Sequence, residues 1–307
     1  MTGSTKDYLG QLTTESRNPA TLELDSLDAL GIVQLMNSED ACVAESVARV
    51  AEPVAQAIDV IADRLQKGGR LIYTGAGTSG RLGVLDAVEC PPTFNTDPEL
   101  VQGLIAGGPG GLVRAVEGAE DSPDMGKADL VDIGLSELDV VVGIAASGRT
   151  PYVIGGLDYA RDIGAFAIGF TCNEGAEITR HTDLNIIPVV GPEVLSGSTR
   201  LKAGTATKMV LNMLTTGAMV RMGKTYSNLM VDLQATNEKL GERAARIVGE
   251  LTECSVEEAK ALLARCDGEL KTAIVAHNLG VSPDEARTRL GSVGGHLRRA
   301  LEMPEWS

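Results

Sequence analysis

Beyond Gly68-Gly69 the chain repeats one pattern: a short apolar run, a turn, then a helix-like segment. The runs are Leu71–Thr74, Leu100–Ala106, Val140–Ala145, Ala165–Thr171 and Leu184–Val190. Runs of this length with little polar alternation suit strands buried on both faces. Strands that alternate with helices imply a parallel sheet with helices on both faces, an α/β architecture in three layers. Ligands in such sheets bind beyond the carboxyl ends of the strands.

Three turns fall at that edge. Gly75-Ala76-Gly77-Thr78-Ser79-Gly80-Arg81 follows the first run, and Ala145-Ala146-Ser147-Gly148-Arg149-Thr150-Pro151 follows the third. Leu195-Ser196-Gly197-Ser198-Thr199-Arg200-Leu201-Lys202 follows the fifth and leads into a long apolar helix, Ala203 to Met222. Backbone N–H groups at a helix start are unpaired and attract anions. Serine and threonine add hydroxyl donors, and glycine lets the backbone approach closely. A single serine there is more often a helix cap than a ligand. Three such turns together favour a site for a phosphorylated small molecule, with Thr78, Ser79, Ser147, Gly148, Arg149, Thr150 and Ser198 as its candidate contacts.

The formal charge of −15 argues against nucleic acid and against an anionic membrane surface as partners. An anionic substrate must therefore be held by local donors. Arg81, Arg149, Arg200, Lys202 and Lys208 lie in or near the turns and fit that need, Lys208 least. The Gly75-x-Gly77-x-x-Gly80 spacing also matches a dinucleotide fingerprint, but no acidic residue ends the next strand region to receive a ribose. The five cysteines show no CxxC spacing, so a reducing compartment is expected. Three histidines without HxxxH or HExxH spacing give no zinc site, and neither metal nor cofactor is expected. The absence of a leader-like start or a membrane-length apolar run points to a cytoplasmic protein.

The flanks differ in character. Residues up to about Glu23 are polar and read as an arm. From Ala41 to Leu65 the apolar positions Val43, Val47, Val50, Val54, Ile58, Ile61 and Leu65 define one helix face, which Pro53 should kink or divide. Past Tyr226 the composition shifts. Ser255-Val256-Glu257-Glu258 and Ser282-Pro283-Asp284-Glu285 look like helix starts, so a small three-helix domain is expected from about Val248 to Leu301. The expected division is an arm with a short helical lead-in over 1–40, a domain that binds a phosphorylated small molecule over 41–240, and a small helical domain over 241–307.

Two carboxylates, Glu89 and Glu120, lie next to helix-ending or glycine-containing segments. Glu89 precedes Cys90-Pro91-Pro92, whose prolines should end the helix begun near Ser79. Glu120 follows Glu117-Gly118-Ala119, and the two glutamates would share a helix face if the helix ran through Gly118. Spacing alone does not raise either above an ordinary solvated acid.

The blocks Leu71–Gly83 through Glu89-Cys90-Pro91-Pro92, Ala115–Asp121, Ile144–Tyr152, Gly197–Thr205 and Asn228–Asp232 resemble, in order, the N-acetylmuramic acid 6-phosphate etherases. The likeness runs from near Thr14 to the tail. It implies a sugar isomerase (SIS) core and the small helical domain that accompanies it in etherases and glucokinase regulatory proteins. It further implies cleavage of the lactyl ether to N-acetylglucosamine 6-phosphate and D-lactate, in recycling of cell-wall amino sugars. Glu89 matches the catalytic acid of the family and Glu120 its second catalytic glutamate. Asn237, Glu238 and Lys239 also resemble family positions, without an assigned role. An aldose–ketose isomerase and a non-catalytic sugar-phosphate-responsive regulator share the fold and are the rival readings; a regulator would be expected to lack the glutamate pair.

The chemistry suits two carboxyls in opposite protonation states. Ring opening exposes an aldehyde that acidifies the proton on carbon 2. Glu120 removes it while the lactate oxygen leaves carbon 3. Glu89 protonates that oxygen and then deprotonates the water that adds. The helical rise from Ser79 to Glu89 is roughly 15 Å, so either the helix bends or Glu89 serves a site shared across a homodimer.

Overall fold

A computed structural model describes residues 13–114, 116–232 and 238–303. They form two compact units, Met1–Val88 with Glu99–Thr215 and Glu89–Pro98 with Thr216–Ser307.

The first unit opens with 3-10 turns at Thr13–Glu15, Pro19–Thr21 and Leu24–Ser26. Helices α1 (Ala29–Asp40), α2 (Val43–Ala48) and α3 (Ala51–Gln66) follow. Then come β1 (Leu71–Gly75), α4 (Gly77–Phe94), β2 (Val101–Ile105), α5 (Gly110–Val113) and α6 (Pro123–Asp132). The chain continues through β3 (Val140–Ile144), α7 (Pro151–Asp162), β4 (Phe166–Phe170), β5 (Leu184–Ile186) and α8 (Lys202–Arg221), whose residues from Thr216 onward belong to the second unit. The five strands make one parallel sheet in the order β2-β1-β3-β4-β5. Every residue of β1 and β3 is buried, as the unbroken apolar runs require.

Register shows how the sheet is covered. A Cβ on Gly83 of α4 would lie 2.8 Å from Tyr73 Cβ and 3.3 Å from Ile144 Cδ1. A Cβ on Gly143 would instead lie 2.6 Å from Leu157 Cδ1 of α7. Thr74 pairs with Gly143 and Gly75 with Ile144, and side chains alternate along a strand. Helices α4 and α7 therefore cover opposite faces, giving the three layers expected from the sequence. Gly75 is level with both Ile105 and Ile144, and Ile144 with Phe170, so the turns leave the sheet at one common edge.

Two helix boundaries differ from expectation. The break in the Ala41–Leu65 segment falls near Arg49 and Val50, and Pro53 sits in the first turn of α3, where its missing N–H has no helical acceptor to lose. Pro91 and Pro92 do not end α4 either. The helix continues to Phe94 and closes when the Asn95 N–H donates to the Pro91 carbonyl at 2.9 Å. Both prolines lie in the final turn and cost the bonds that the Ala87 and Val88 carbonyls would accept, and Asn95 stops the helix in left-handed backbone with φ 50°.

In the second unit a short hairpin of β6 (Thr225–Tyr226) and β7 (Leu229–Met230) precedes α9 (Glu238–Thr252) and α10 (Val256–Arg265). Helices α11 (Leu270–Leu279), α12 (Pro283–Ser292) and α13 (Leu297–Glu302) complete it. The tail is thus larger than the expected three-helix bundle. Its small core residues, Ala244, Ala245, Ala259, Ala273 and Ala286 among them, let five short helices share one core with Val248, Leu262 and Ile274. Both expected starts are capping boxes: Ser255 pairs with Glu258 and Ser282 with Glu285.

Candidate functional site

The first turn is shaped by close backbone approach. A Cβ on Gly80 would lie 2.6 Å from the Gly75 carbonyl oxygen, so only glycine lets α4 start directly against the end of β1. Thr78 and Ser79 occupy the opening turn of α4, half-buried.

The second turn is held more rigidly. The Ala146 carbonyl accepts from Cys172 N–H at 3.0 Å, Thr171 Oγ1 at 3.1 Å and Asn173 Nδ2 at 2.9 Å. The Gly148 carbonyl accepts from Ile178 N–H at 2.9 Å. Ser147 lies between these two anchored peptides. Gly148 has φ 69°, and a Cβ there would lie 2.3 Å from Ala176 Cβ. Thr150 is the N-cap residue of α7 but makes no side-chain cap bond.

The third turn is closed by a residue the sequence reading did not single out. Glu193, fully buried, accepts from Lys202 N–H at 2.9 Å and Ala203 N–H at 3.0 Å. Burial pushes its carboxyl above the usual range, and the two backbone bonds pull the other way. The N-terminus of α8 is therefore already filled by a protein carboxylate, and Ser198 lies in the loop that precedes it. This turn meets the first: a Cβ on Gly204 of α8 would lie 3.8 Å from Thr78 Cγ2.

Hydroxyls that serve as caps in this protein do so visibly, as at Ser122, Ser255 and Ser282. Among the described residues, the hydroxyls of Thr78, Ser79, Ser147, Thr150 and Ser198 donate to no protein acceptor and are only partly exposed. A set of half-buried donors without internal partners at one sheet edge suits a polar ligand with many acceptor oxygens.

Glu120 lines a cavity of about 170 Å³ with Ala76, Gly77, Arg81, Glu117 and Gly118. The expected helix face shared by Glu117 and Glu120 does not form. Gly118, at φ 73°, breaks the chain direction, and Glu120 lies in a 3-10 turn, Ala119–Asp121. Arg81 brings this segment to the first turn through its backbone: Nε donates to the Leu112 carbonyl at 2.9 Å and Nη2 to that of Gly111 at 2.8 Å. Glu89 is exposed on α4, in the part of that helix belonging to the second unit.

The basic residues divide accordingly. Lys202 is no anion attractor: it is 2% exposed, and its Nζ meets Glu39 Oε2 at 2.7 Å. Arg81 braces a loop, whereas Arg200 and Lys208 are exposed and Arg149 is half-buried in the second turn. Cys172, behind that turn, is pushed up to about 12 by burial, with Glu193 adding to the shift, so it is an uncharged thiol at neutral pH and no nucleophile. Among the described residues no group of acidic, histidine or cysteine side chains could hold a metal ion, and no helix is long and apolar enough to cross a membrane. Ala115 and Asn237, and the side chains of Glu238 and Lys239, lie outside the described residues.

Three family models match this architecture. Residues 53–161 match the glucokinase regulatory protein N-terminal SIS domain, 121–217 the SIS domain, and 227–274 the C-terminal lid domain of glucokinase regulatory protein. A Rhodopirellula baltica protein named N-acetylmuramic acid 6-phosphate etherase is 62% identical over 97% of this chain and 99% of its own. Proteins of the same name from Vibrio campbellii and Salmonella typhimurium are 55% and 56% identical, each over 96% of this chain and over 96% and 99% of their own. Among solved structures, a phosphoheptose isomerase from Neisseria gonorrhoeae superposes with a TM-score of 0.47 and 18% identity, over 62% of this chain and 98% of that one.

Proposed function

The chain belongs to the N-acetylmuramic acid 6-phosphate etherase family, and from that premise we propose that it cleaves the D-lactyl ether of N-acetylmuramic acid 6-phosphate, releasing D-lactate and N-acetylglucosamine 6-phosphate. The observation that carries the reading is the position of Glu120 in a cavity against the first hydroxyl turn, at the edge where Ser147, Thr150 and Ser198 of the second and third turns also present hydroxyls that donate to no protein acceptor. On this reading residues 41–240 carry the chemistry and 241–307 form an accessory helical domain.

The phosphate and sugar hydroxyls take the hydroxyls of Thr78, Ser79, Ser147, Thr150 and Ser198 and the side chain of Arg149, while Gly148, whose N–H donates to the Ala145 carbonyl at 2.8 Å, shapes the turn between them. With the sugar ring open, the aldehyde at carbon 1 makes the carbon 2 proton acidic, and Glu120 removes it as general base. The electron pair forms a carbon 2–carbon 3 double bond as the carbon 3–oxygen bond breaks. Glu89 gives its proton to the departing lactate oxygen. Water then adds to carbon 3, Glu89 recovers a proton from it, and Glu120 returns one to carbon 2. Both carboxyls end as they began, and no redox partner or metal is consumed.

Glu89 lies a helical rise of roughly 15 Å from Ser79, and α4 is continuous between them. We therefore take the enzyme to be a homodimer in which Glu89 serves the site of the second subunit.

Incubation with N-acetylmuramic acid 6-phosphate should release D-lactate. In deuterated water the sugar product should carry deuterium at carbon 2. No lactate would overturn the reading, and lactate without the label would replace elimination by direct displacement. An isomerase or a regulator would release none.

A further inference from the structure

We propose that Thr14, in the lead-in before the sheet, is a positioning residue that fixes the Ser147 turn relative to the Ser198 turn. The inference rests on the reading that these turns hold the substrate. Thr14 and Asn173 are 0% and 1% exposed and form a reciprocal pair. The Thr14 N–H donates to Asn173 Oδ1 at 3.3 Å, and Asn173 Nδ2 donates to Thr14 Oγ1 at 3.1 Å. The same Nδ2 reaches the Ala146 carbonyl at 2.9 Å, the peptide immediately before Ser147. On its other side the Thr14 carbonyl accepts at 3.1 Å from the N–H of Gly197, the residue immediately before Ser198. Ser196 Oγ adds a second tie to the lead-in by donating to the Ser16 carbonyl at 3.4 Å.

One buried residue is thus bonded, directly and through one amide side chain, to the peptides that precede two candidate ligand hydroxyls. The Ser147 turn has its own anchors in Thr171 and Cys172. The Ser198 turn is tethered at its far end by Glu193, so the Thr14 carbonyl sets the position of its near half. Loss of the Thr14 hydroxyl leaves Asn173 Nδ2 short of one acceptor in a buried place and loosens the pair that holds Thr14. The substrate then meets two turns that are each intact but imperfectly spaced, which costs binding more than chemistry.

A double-mutant cycle on the full-length enzyme tests this. Thr14→Val should raise KM about 5- to 10-fold with kcat changed less than about 2-fold. Thr14→Ser, which keeps the hydroxyl, should restore KM. Ser198→Ala alone should raise KM, and adding Thr14→Val to it should raise KM by less than about 2-fold further, since the positioned hydroxyl is already gone. Full additivity of the two substitutions would overturn the positioning role while leaving the site intact. An unchanged KM in Ser198→Ala would instead overturn the assignment of Ser198 to the substrate. If Thr14→Val does not fold, Thr14→Ala removes the same hydroxyl and carries the cycle.

Discussion

Arg81 Nε donates to the carbonyl of Leu112 at 2.9 Å, and its Nη2 reaches Gly111 at 2.8 Å. A residue in the first glycine turn thereby grips the loop that leads to Glu120. Arg81→Met removes both bonds and leaves the apolar stem. It should lower kcat about 10-fold or more by loosening the base, with a smaller rise in KM. Steady-state lactate release measures both, and a KM effect alone would return Arg81 to the role of an anion attractor.

Gly148 cannot gain a side chain without displacing its neighbours. An added Cβ would sit 2.3 Å from Ala176 Cβ and 2.7 Å from Thr171 Oγ1, in backbone of φ 69°. Gly148→Ala should cost about 2–4 kcal/mol, combining left-handed strain with overpacking. Urea denaturation reads the stability, and a raised KM should accompany it because Ser147 and Thr150 flank the shifted peptide. Gly134→Ala, where φ is 61° but an added Cβ meets nothing within 4 Å, should cost only about 1 kcal/mol.

Asp139 links the starts of β1 and β3. It accepts from Arg70 N–H at 2.7 Å, Arg70 Nη2 at 2.8 Å and Ser136 N–H at 2.8 Å. Burial pushes its carboxyl up, but the Arg70 guanidinium and the two amides outweigh burial and hold it below the usual range. A carboxyl lowered by folding contributes stability above its unfolded pKa, near about 3.9, and loses it as pH falls through the folded value. Asp139→Asn should therefore cost about 1–3 kcal/mol at pH 7, by taking the carboxylate from Arg70, whose guanidinium keeps the Ile133 and Gly134 carbonyls as acceptors. Its deficit against the parent protein should shrink below about pH 4. Denaturation at pH 7 and pH 3 tests the sign: a deficit that grows on acidification would refute it.

Glu89→Ala and Glu120→Ala should each abolish turnover without unfolding, since both side chains are exposed. Co-refolded mixtures should regain about a quarter of parental activity if sites are shared. Half the dimers are then mixed, and each mixed dimer retains one complete site. No recovery in mixed dimers shown to form would place both glutamates in one subunit.

Much of this was legible locally. Apolar runs fixed β1 to β4 to within a residue or two, although β5 is shorter than its run, Leu184–Val190. Glycine and hydroxyl spacing located all three turns, because backbone conformation and helix starts depend on a few neighbouring residues. The roles of the charged groups were not legible. Lys202 reads as a turn cation, yet it is paired with Glu39, 163 positions away. Glu117 and Glu120 read as one helix face until Gly118 breaks it.

The order of residues alone therefore determined the strands, the hydroxyl turns and the family to which the chain belongs. Packing decided which donors stay unpartnered, that Glu193 fills the N-terminus of α8, and that Thr14 is tied to Asn173 across 159 positions. The reason is physical. Local backbone preference is written in neighbouring residues, whereas a buried polar group takes its partner from whatever the folded chain brings within hydrogen-bonding reach.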